Sequence, residues 1–447
     1  MKLKFTNRNL SNWSHTLHQN SKIYEPINIL ELKKIISYFK KKNKNFSIIG
    51  GKNSYGDCFL NKHNHVVDLN KFNKIIKIDF KKRFVVLQSG VKVNSILNEI
   101  IKNNYILNSL PGTFTATIGG LISSNVHGKD SFKNGVFANN VIELKILNKD
   151  NKIINLNKKS KNFKKYIGAY GLNGIILEAK LKIHKTNGNI LKVQTEKFYS
   201  FKEMLFLFSK YQKNSNYMGA WVNHFSKKSD GIFKSAKWVF DKQYYFSQLP
   251  KKKNISNLRR IIYLFFKNFI ISRNFVIIFN KFLMLAIYNK VSFQSFYEFY
   301  YPQEKFLPKE SFLFKKGKIN IQILIPQKRF ISVMSEIYFI AKYYKLESWW
   351  LGVKKHINQK YYNVFALNGF DVTLQWSKSH IDSTNFKMFK EKLFRIVHQN
   401  KCKIYITQDI MSSSKDISKI YKFINLELNK KDNIFSSLLK DRILGNK

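Results

Sequence analysis

The stretch LPGTFTATIGGLISSNVHGKD, residues 110–130, concentrates glycine and small side chains in a chain that has only 19 glycines in 447 residues. Glycine carries no Cβ, so backbone through such a run can lie close against a ligand. Two shorter turns share this character: GGKNSYG at 50–56, which follows the apolar SII, and GLNG at 171–174, which precedes a long alternating run. Each adjoins a segment that reads as a strand, and turns of this kind can present backbone N–H groups to a diphosphate. The spacing is neither the G-x-x-x-x-G-K-[ST] of a P-loop nor the G-x-G-x-x-G of a Rossmann turn. Three such turns in one N-terminal region point to a dinucleotide held by loops.

Around these turns the pattern is mixed. Residues 26–42 put Ile29, Leu32, Ile36 and Phe39 at helical spacing. Strands are expected at 46–50, 66–70, 75–80, 84–91, 141–148 and 152–157, a helix at 93–104, and a long alternating strand within 170–185. The order is α+β, without βαβ repeats. From about residue 189 glycine thins and aromatics increase, with strands expected at 319–326, 370–376 and 403–410 and a helix at 417–431. In 259–290 the apolar run is broken by Lys267, Arg273 and Lys281, so no transmembrane span is expected there. With Arg259 and Arg260 these cations share one side of a single helix, which suits a membrane surface or packing on the protein's own core.

The chain carries 79 basic and 27 acidic residues, a net charge of +52. The lysines are scattered, and residues with A/T-rich codons dominate. The excess therefore reads first as composition and solubility, then as attraction to an anionic substrate or membrane surface. No zinc-finger spacing or RNP motif is present, and no nucleic-acid partner is expected. Cys58 and Cys402, without a C-x-x-C, exclude a disulfide framework and a thiolate zinc site, and no metal is expected. The first residues, MKLKFTNRNLSNWSH, lack an apolar signal core, so the expected location is the cytoplasm.

The segments GGKNSYGD, LPGTFTATIGGLISSNVHGKDSFKNGVFANNVIELKILNKDNKI and YGLNGIILEAKLKI resemble the FAD-binding domain of the vanillyl-alcohol-oxidase-type (PCMH-type) flavoproteins. Within these the chain is most similar to the decaprenylphosphoryl-β-D-ribose oxidase family. YYPQ (300–303), NIQILIP (320–326), SWWLGVKK (348–355), NGFDVTLQW (368–376) and IYITQD (404–409) then follow in the order of that family's substrate-domain strands. The resemblance implies an α+β fold with a two-part FAD-binding domain over 1–188 and a substrate-binding cap domain, an antiparallel sheet with helices, over 189–402. A C-terminal segment, 403–447, would return to the FAD domain.

It also implies an FAD-dependent oxidoreductase acting on CH–OH groups. A secondary sugar hydroxyl of a polyprenyl-phosphate-linked pentose, such as decaprenylphosphoryl-ribose, would lose hydride to flavin N5. A short-chain reductase partner and peripheral contact with the inner face of a membrane follow from the same family context. One alternative is a sugar-1,4-lactone (aldonolactone) or alditol oxidase, against which the absence of a C-terminal H-W-G-K counts. Another is a non-catalytic, basic flavin-fold binding protein.

By the resemblance, Gly50, Gly51, Asn53, Ser54 and Tyr55 wrap the FAD diphosphate. Gly112, Thr113, Thr117, Gly119, Gly120, Asn125, His127 and Gly128 line the flavin and its phosphates, with Tyr405 in the same cofactor set. Asn173, Gly174 and Ile176 close the adenine and ribose side. Lys52 stands where the family has glycine. Relatives with 8α-histidyl flavin carry the histidine in the first loop, and 50–57 contains none, so the FAD is expected to be noncovalent. Lys129 is directed to the substrate phosphate, for which a compact ammonium is suited. Gln322, Lys354, Asp371 and Thr373 line the sugar pocket, Thr373 where some members have cysteine.

The family's Y-x-x-K-D turn reads Tyr405-Ile406-Thr407-Gln408-Asp409 here. A carboxamide cannot take a proton as a lysine amine can. Loss of hydride from the carbinol carbon still requires an acceptor for the hydroxyl proton. The candidates are His127, Lys354 and Tyr301, with Gln408 left to hydrogen-bond a substrate hydroxyl or a flavin carbonyl.

Overall fold

Asn28 opens the first helix, Ile29–Lys41, by accepting the Glu31 N–H at 2.9 Å, and Leu32, Ile35, Ile36 and Phe39 form its buried stripe. The stripe packs into the core of a four-stranded sheet ordered Thr6–Ser11, His18–Tyr24, His65–Asp68, Ser47–Ile49. The last two strands run parallel, so the chain leaves Ile49 at a strand end and spends residues 50–57 in loop. The computed structural model describes residues 3–226, 228–242, 273–302, 317–359, 365–421 and 433–445.

A five-stranded antiparallel sheet follows, ordered Ile75–Asp79, Phe84–Gln88, Ile175–Lys182, Val141–Leu147, Ile153–Asn157. Val93–Ile100 and Ile118–Ser124 are helices whose apolar sides, including Ile96, Leu97, Ile118 and Leu121, share its core. A third sheet has eight antiparallel strands: Lys290–Gln294, Ile190–Phe198, Gly231–Val239, Tyr217–Val222, Leu351–His356, Gly369–Ser377, Lys318–Pro326 and Lys403–Ile404.

Alternation along this third sheet positions the site. Ile319, Ile321, Ile323, Val372 and Leu374 pack on one face with the helices Phe201–Tyr211, Phe330–Tyr343 and Thr384–Gln399. The residues between them therefore fall on the other face. Register sets Asn320 beside Gln375, Gln322 beside Thr373, and Lys354 beside Asp371. At one end Leu191, Val193, Tyr217, Ala236 and Trp238 join the core of the five-stranded sheet, so the polar face is the one turned toward the first half of the chain.

Four expectations need correction or restriction. The strand expected over 403–410 stops at Ile404, because the chain turns through a 3-10 segment, Ile406–Gln408, where its polar groups take partners from other elements. YYPQ begins at the end of a helix, Phe296–Tyr300, and its Gln303 lies outside the described residues. The helix expected at 417–431 is described as Ser414–Ile420, and 422–431 lie outside the described residues.

Within 259–290, Arg259, Arg260 and Lys267 lie outside the described residues; the helix Arg273–Ala286 ends there and Lys290 begins a strand. Its inner side is Val276, Asn280 and Met284, whereas Ile278, Phe279, Lys281, Phe282 and Leu285 are exposed. Arg273 pairs with Glu347 at 2.5 Å. The exposed side of this helix carries these apolar residues together with Arg273 and Lys281, and the other three cations of the expected face lie outside the described residues. Among the described residues no helix is long and apolar enough to cross a membrane.

Candidate active site

The loop after Ile49 meets the loop before Ile118. Asn53 Nδ2 donates to the Gly51 carbonyl at 2.8 Å, Thr115 Oγ1 donates to Asn53 Oδ1 at 2.8 Å, and Asn70 Nδ2 donates to the Gly50 carbonyl at 2.9 Å. A Cβ at Gly50 would collide with Thr117 Oγ1, so the approach of the two loops requires glycine there. Beside them is a cleft of about 510 Å³ lined by Gly50, Gly51, Lys52, Asn70, Asn73, Gly90, Lys92, Ser95 and Thr115. Two lysines and a glycine-bearing turn suit a diphosphate. Lys52 adopts φ +59, the left-handed region natural to glycine.

A second group lies on the polar face of the large sheet. Asp371, fully buried, receives His127 Nε2 at 3.2 Å, His356 Nε2 at 3.1 Å and Lys354 Nζ at 3.1 Å, all on Oδ2. Its Oδ1 accepts the Lys354 backbone N–H at 3.1 Å. Burial alone would raise the Asp371 carboxyl, but Lys354, His356 and His127 hold it well below the usual carboxylate range. Burial and the Lys354 charge push the His127 imidazole down to about 3, so the ring is neutral near pH 7. With Nε2–H donated to a carboxylate, Nδ1 carries the lone pair. That atom is buried and has no hydrogen-bond partner among the described residues. Tyr405, His356 and Phe365 pack the ring at centroid distances of 4.7, 4.9 and 5.1 Å.

His127, His356 and Asp371 also offer three ligand atoms within 4.8 Å of one another, a grouping that could hold a metal ion. The Lys354 ammonium on the same carboxylate oxygen already supplies the positive partner that such an ion would bring.

The turn bearing Gln408 is fastened to both groups. Tyr405 donates its N–H to the Gln322 carbonyl and its OH to the Ser124 carbonyl, each at 3.0 Å. The Thr407 carbonyl accepts Ser54 Oγ at 2.7 Å and the Gly56 N–H at 2.9 Å. Gln408 Oε1 accepts Asn320 Nδ2 at 2.7 Å. Arg442, from the helix Leu438–Leu444, binds Asp57 through Nε and Nη2 at 2.8 and 3.1 Å and Asp409 Oδ2 through Nη1 at 3.1 Å.

The structure brings His127, Lys354 and Asp371 into one cluster and sets Gln322 against Thr373 at 2.9 Å. Lys129 Nζ donates to the Tyr300 carbonyl at 2.6 Å and lies 4.5 Å over the Tyr300 ring, whose OH donates to the Leu110 carbonyl. Burial, with Lys354 and Lys234 nearby, pulls its amine down to about 7. Gly128 has no room for a Cβ beneath the Tyr300 OH, and Gly119 packs against Ser89. Gly120 lies in the helix that Thr117 opens and Asn125 closes in a left-handed conformation. A Cβ on Gly112 would meet nothing within 4 Å, and Thr113 Oγ1 pairs with Thr115 Oγ1 at 2.9 Å.

Tyr301 packs edge-on to Phe114 at 5.3 Å in the aromatic core. Asn173, Gly174 and Ile176 form a separate group at the start of the Ile175–Lys182 strand, where Asn173 Nδ2 donates to the Lys165 carbonyl and Gly174 packs on Ile146.

His356, Asn320, Gln375, Lys318, Tyr300, Lys92 and Arg442 were not singled out by sequence. Period-two alternation would have found several of them: KINIQ puts Lys318, Asn320 and Gln322 on one face, and VKKH does the same for Lys354 and His356. Nothing local marks Arg442.

The chain can hold FAD with residues that are present. Among the described residues, Asn70 Oδ1 in the cleft lining has no partner, and buried polar atoms are ordinarily paired, so a polar ligand in the cleft would satisfy it; Asn125 Nδ2 and Gln322 Oε1, outside that lining, are also without one. Residues 21–157 match the family described as "FAD binding domain". Decaprenylphosphoryl-beta-D-ribose oxidase of Mycolicibacterium smegmatis is 29% identical over 178 residues, 39% of this chain and 39% of that protein. L-gulonolactone oxidase of Mus musculus is 23% identical over 150 residues, 33% of this chain and 34% of that protein. The aligned part of the chain thus spans well under half the length of either relative. A solved structure of alkyldihydroxyacetonephosphate synthase superposes with a TM-score of 0.58 at 12% identity, covering 86% of this chain and 73% of that one, which is a likeness of fold. Sequence match, fold and a cleft suited to a diphosphate agree: residues 21–157 are an FAD-binding domain of the PCMH type.

Proposed function

We propose that the chain is an FAD-dependent oxidoreductase that removes hydride from the carbon of a secondary sugar hydroxyl, on a sugar carrying a phosphate. The observation that carries this reading is the buried His127–Asp371 pair with its open Nδ1. Bound FAD supplies the hydride acceptor. Gly50, Gly51, Lys52 and Lys92 would hold its diphosphate, with Asn125 and Tyr405 on the flavin side.

The hydroxyl proton passes to His127 Nδ1 as hydride leaves, and Asp371 fixes the tautomer and offsets part of the cost that burial and Lys354 impose on the imidazolium. Asp371 can do this because Lys354 keeps it ionised. Lys129 and Lys354 hold the substrate phosphate, and the Gln322 amide orients the sugar. Tyr301, in the aromatic core, has no part in the proton transfer.

The FAD is noncovalent in this reading. Residues 50–57 lack histidine, and the adjacent Cys58 thiol is pushed up to about 12 by burial and by Asp57, so it is a poor nucleophile. A lipid-linked form of the substrate would give a use to the exposed Ile278, Phe279, Phe282 and Leu285 as a peripheral membrane contact.

The test is anaerobic bleaching of the flavin band near roughly 450 nm. A polyprenyl-phosphoryl ribose should bleach it and L-gulono-1,4-lactone should not. His127→Asn, which keeps a polar side chain but no base, should slow the bleaching by about 10²–10⁴-fold. Protein purified without flavin, or reduced by the lactone in preference to the phosphosugar, overturns the reading.

A further inference from the structure

A chain of amides crosses the polar face of the large sheet and ends at Gln408. Lys318 Nζ donates to Gln375 Oε1 at 3.3 Å, Gln375 Nε2 donates to Asn320 Oδ1 at 2.9 Å, and Asn320 Nδ2 donates to Gln408 Oε1 at 2.7 Å. Its direction is fixed from one end. An ammonium has donors only, so Gln375 must turn its oxygen to Lys318 and its NH2 to Asn320. Asn320 must then accept on Oδ1 and donate from Nδ2. Gln408 spends its oxygen on Asn320, which leaves its NH2 as the far end of the chain.

The sheet builds this path. Asn320 and Gln375 are register partners, and Lys318 lies two residues from Asn320 on the same face. Lys318 is buried, with its ammonium 4.8 Å over the ring of Tyr55 in the first cofactor loop. Buried amides aligned head to tail polarise one another, and a buried charge is little screened. At the other end, Gln408 follows Thr407, whose carbonyl is held by Ser54 and Gly56 of that same loop.

We propose that Lys318 is a remote cation of the active site, its charge relayed through Gln375 and Asn320 so that the Gln408 NH2 becomes a strengthened donor toward cofactor and substrate. Lys318 is a positioning residue in this scheme, and Gln408 a specificity-determining one. Position 408 gains positive potential while the ammonium itself is held on the Lys318–Pro326 strand. The inference rests on the flavoprotein reading of the 405–409 turn.

The experiment measures the midpoint potential of the flavin in the protein as purified. Lys318→Met should make two-electron reduction less favourable by roughly tenfold, about 30 mV. Gln375→Leu cuts the relay while keeping Lys318 and its contact with Tyr55, and should produce a similar shift, which guards against a folding defect in the first variant. In a Gln408→Leu background neither substitution should have a further effect. Unchanged potentials in both single variants, or shifts that persist in the Gln408→Leu background, overturn the relay. Protein that carries no flavin overturns the flavoprotein reading instead, so the two failures are told apart.

Discussion

Asp57 and Asp409, from opposite ends of the chain, bind one guanidinium, that of Arg442. Asp57 closes the loop 50–57 and Asp409 closes the turn of Gln408, so the arginine fastens these two segments together. Its Nη1 also donates to Ser412 Oγ and the Ser412 carbonyl, and its Nη2 to the Asp409 carbonyl. Asp409 further accepts the Met411 and Ser412 N–H groups and the Ser412 hydroxyl. The two carboxylates hold the guanidinium proton even more firmly than usual, although burial works against the charge.

Arg442→Met should therefore leave two buried carboxylates without a cation. Removing one partner of a buried ion pair typically costs about 3–5 kcal/mol. A lower melting temperature and faster loss of FAD on dilution are expected, with Arg442→Lys recovering part of each, because an ammonium cannot bridge both carboxylates as a planar fork does. FAD that dissociates no faster from the Met variant would show that the clamp is unrelated to the cofactor loop.

Lys52→Gly should move two measurements in opposite directions. Lysine at φ +59 is strained where glycine is not, by about 1–2 kcal/mol, less the entropy that glycine loses on folding. The variant should melt slightly higher. It should also bind FAD more weakly, because one of the two lysines lining the cleft is gone. Equal or tighter FAD binding would mean that Lys52 contributes no charge to the diphosphate.

Much of this arrangement is written in period-two alternation. KINIQILIP and FDVTLQW read as strands and are strands, and the apolar residues of one face and the polar residues of the other follow from that period. Glycine clustering marked loops in which backbone approaches its neighbours closely, and that steric reason holds at Gly50 and Gly128. The failures have a common cause. KIYITQDI at 403–410 reads as a strand, but Ser124, Gln322, Ser54 and Gly56 claim polar groups of Tyr405 and Thr407, and none of these partners is local. His356 and Asn320 gain their meaning from register across strands. Arg442 gains its own from two carboxylates far away in sequence. Tyr301, a candidate base by sequence, packs edge-on to Phe114 in the core, while its neighbour Tyr300 accepts from Lys129 through its carbonyl.

The pH dependence should come from Lys129 and not from the base. His127, with its imidazole held down to about 3, stays neutral from mildly acidic pH upward and contributes no step near neutrality. The Lys129 amine, pulled down to about 7, is charged below that pH and neutral above it. The form that holds a phosphate is therefore lost as pH rises through 7. The kcat/KM for a phosphosugar, which reports the free enzyme, should fall above pH 7, approaching about tenfold per unit. Lys129→Met should lower the acidic plateau and remove the step. A profile of the parent protein that is flat from pH 6 to 9 would rule out this role for Lys129.

Gln408→Lys would place at 408 the lysine that the resemblance implies there, and the hydrogen-bond directions predict a loss. An ammonium at position 408 has no acceptor for Asn320 Nδ2, so two donors would face each other. Asn320 could turn its oxygen to the new ammonium only if Gln375 also reversed, and Lys318 at the far end forbids that reversal, because it too can only donate. The single variant should lose phosphosugar oxidation by tenfold or more, in line with about 1–3 kcal/mol for a buried donor left unpaired. Adding Lys318→Gln gives the reversed chain an acceptor at its end, and the double variant should recover most of the loss. Recovery in the double variant, measured as kcat/KM against the single one, distinguishes a directional relay from a site that merely tolerates glutamine; a gain of activity in Gln408→Lys alone would contradict the fixed direction.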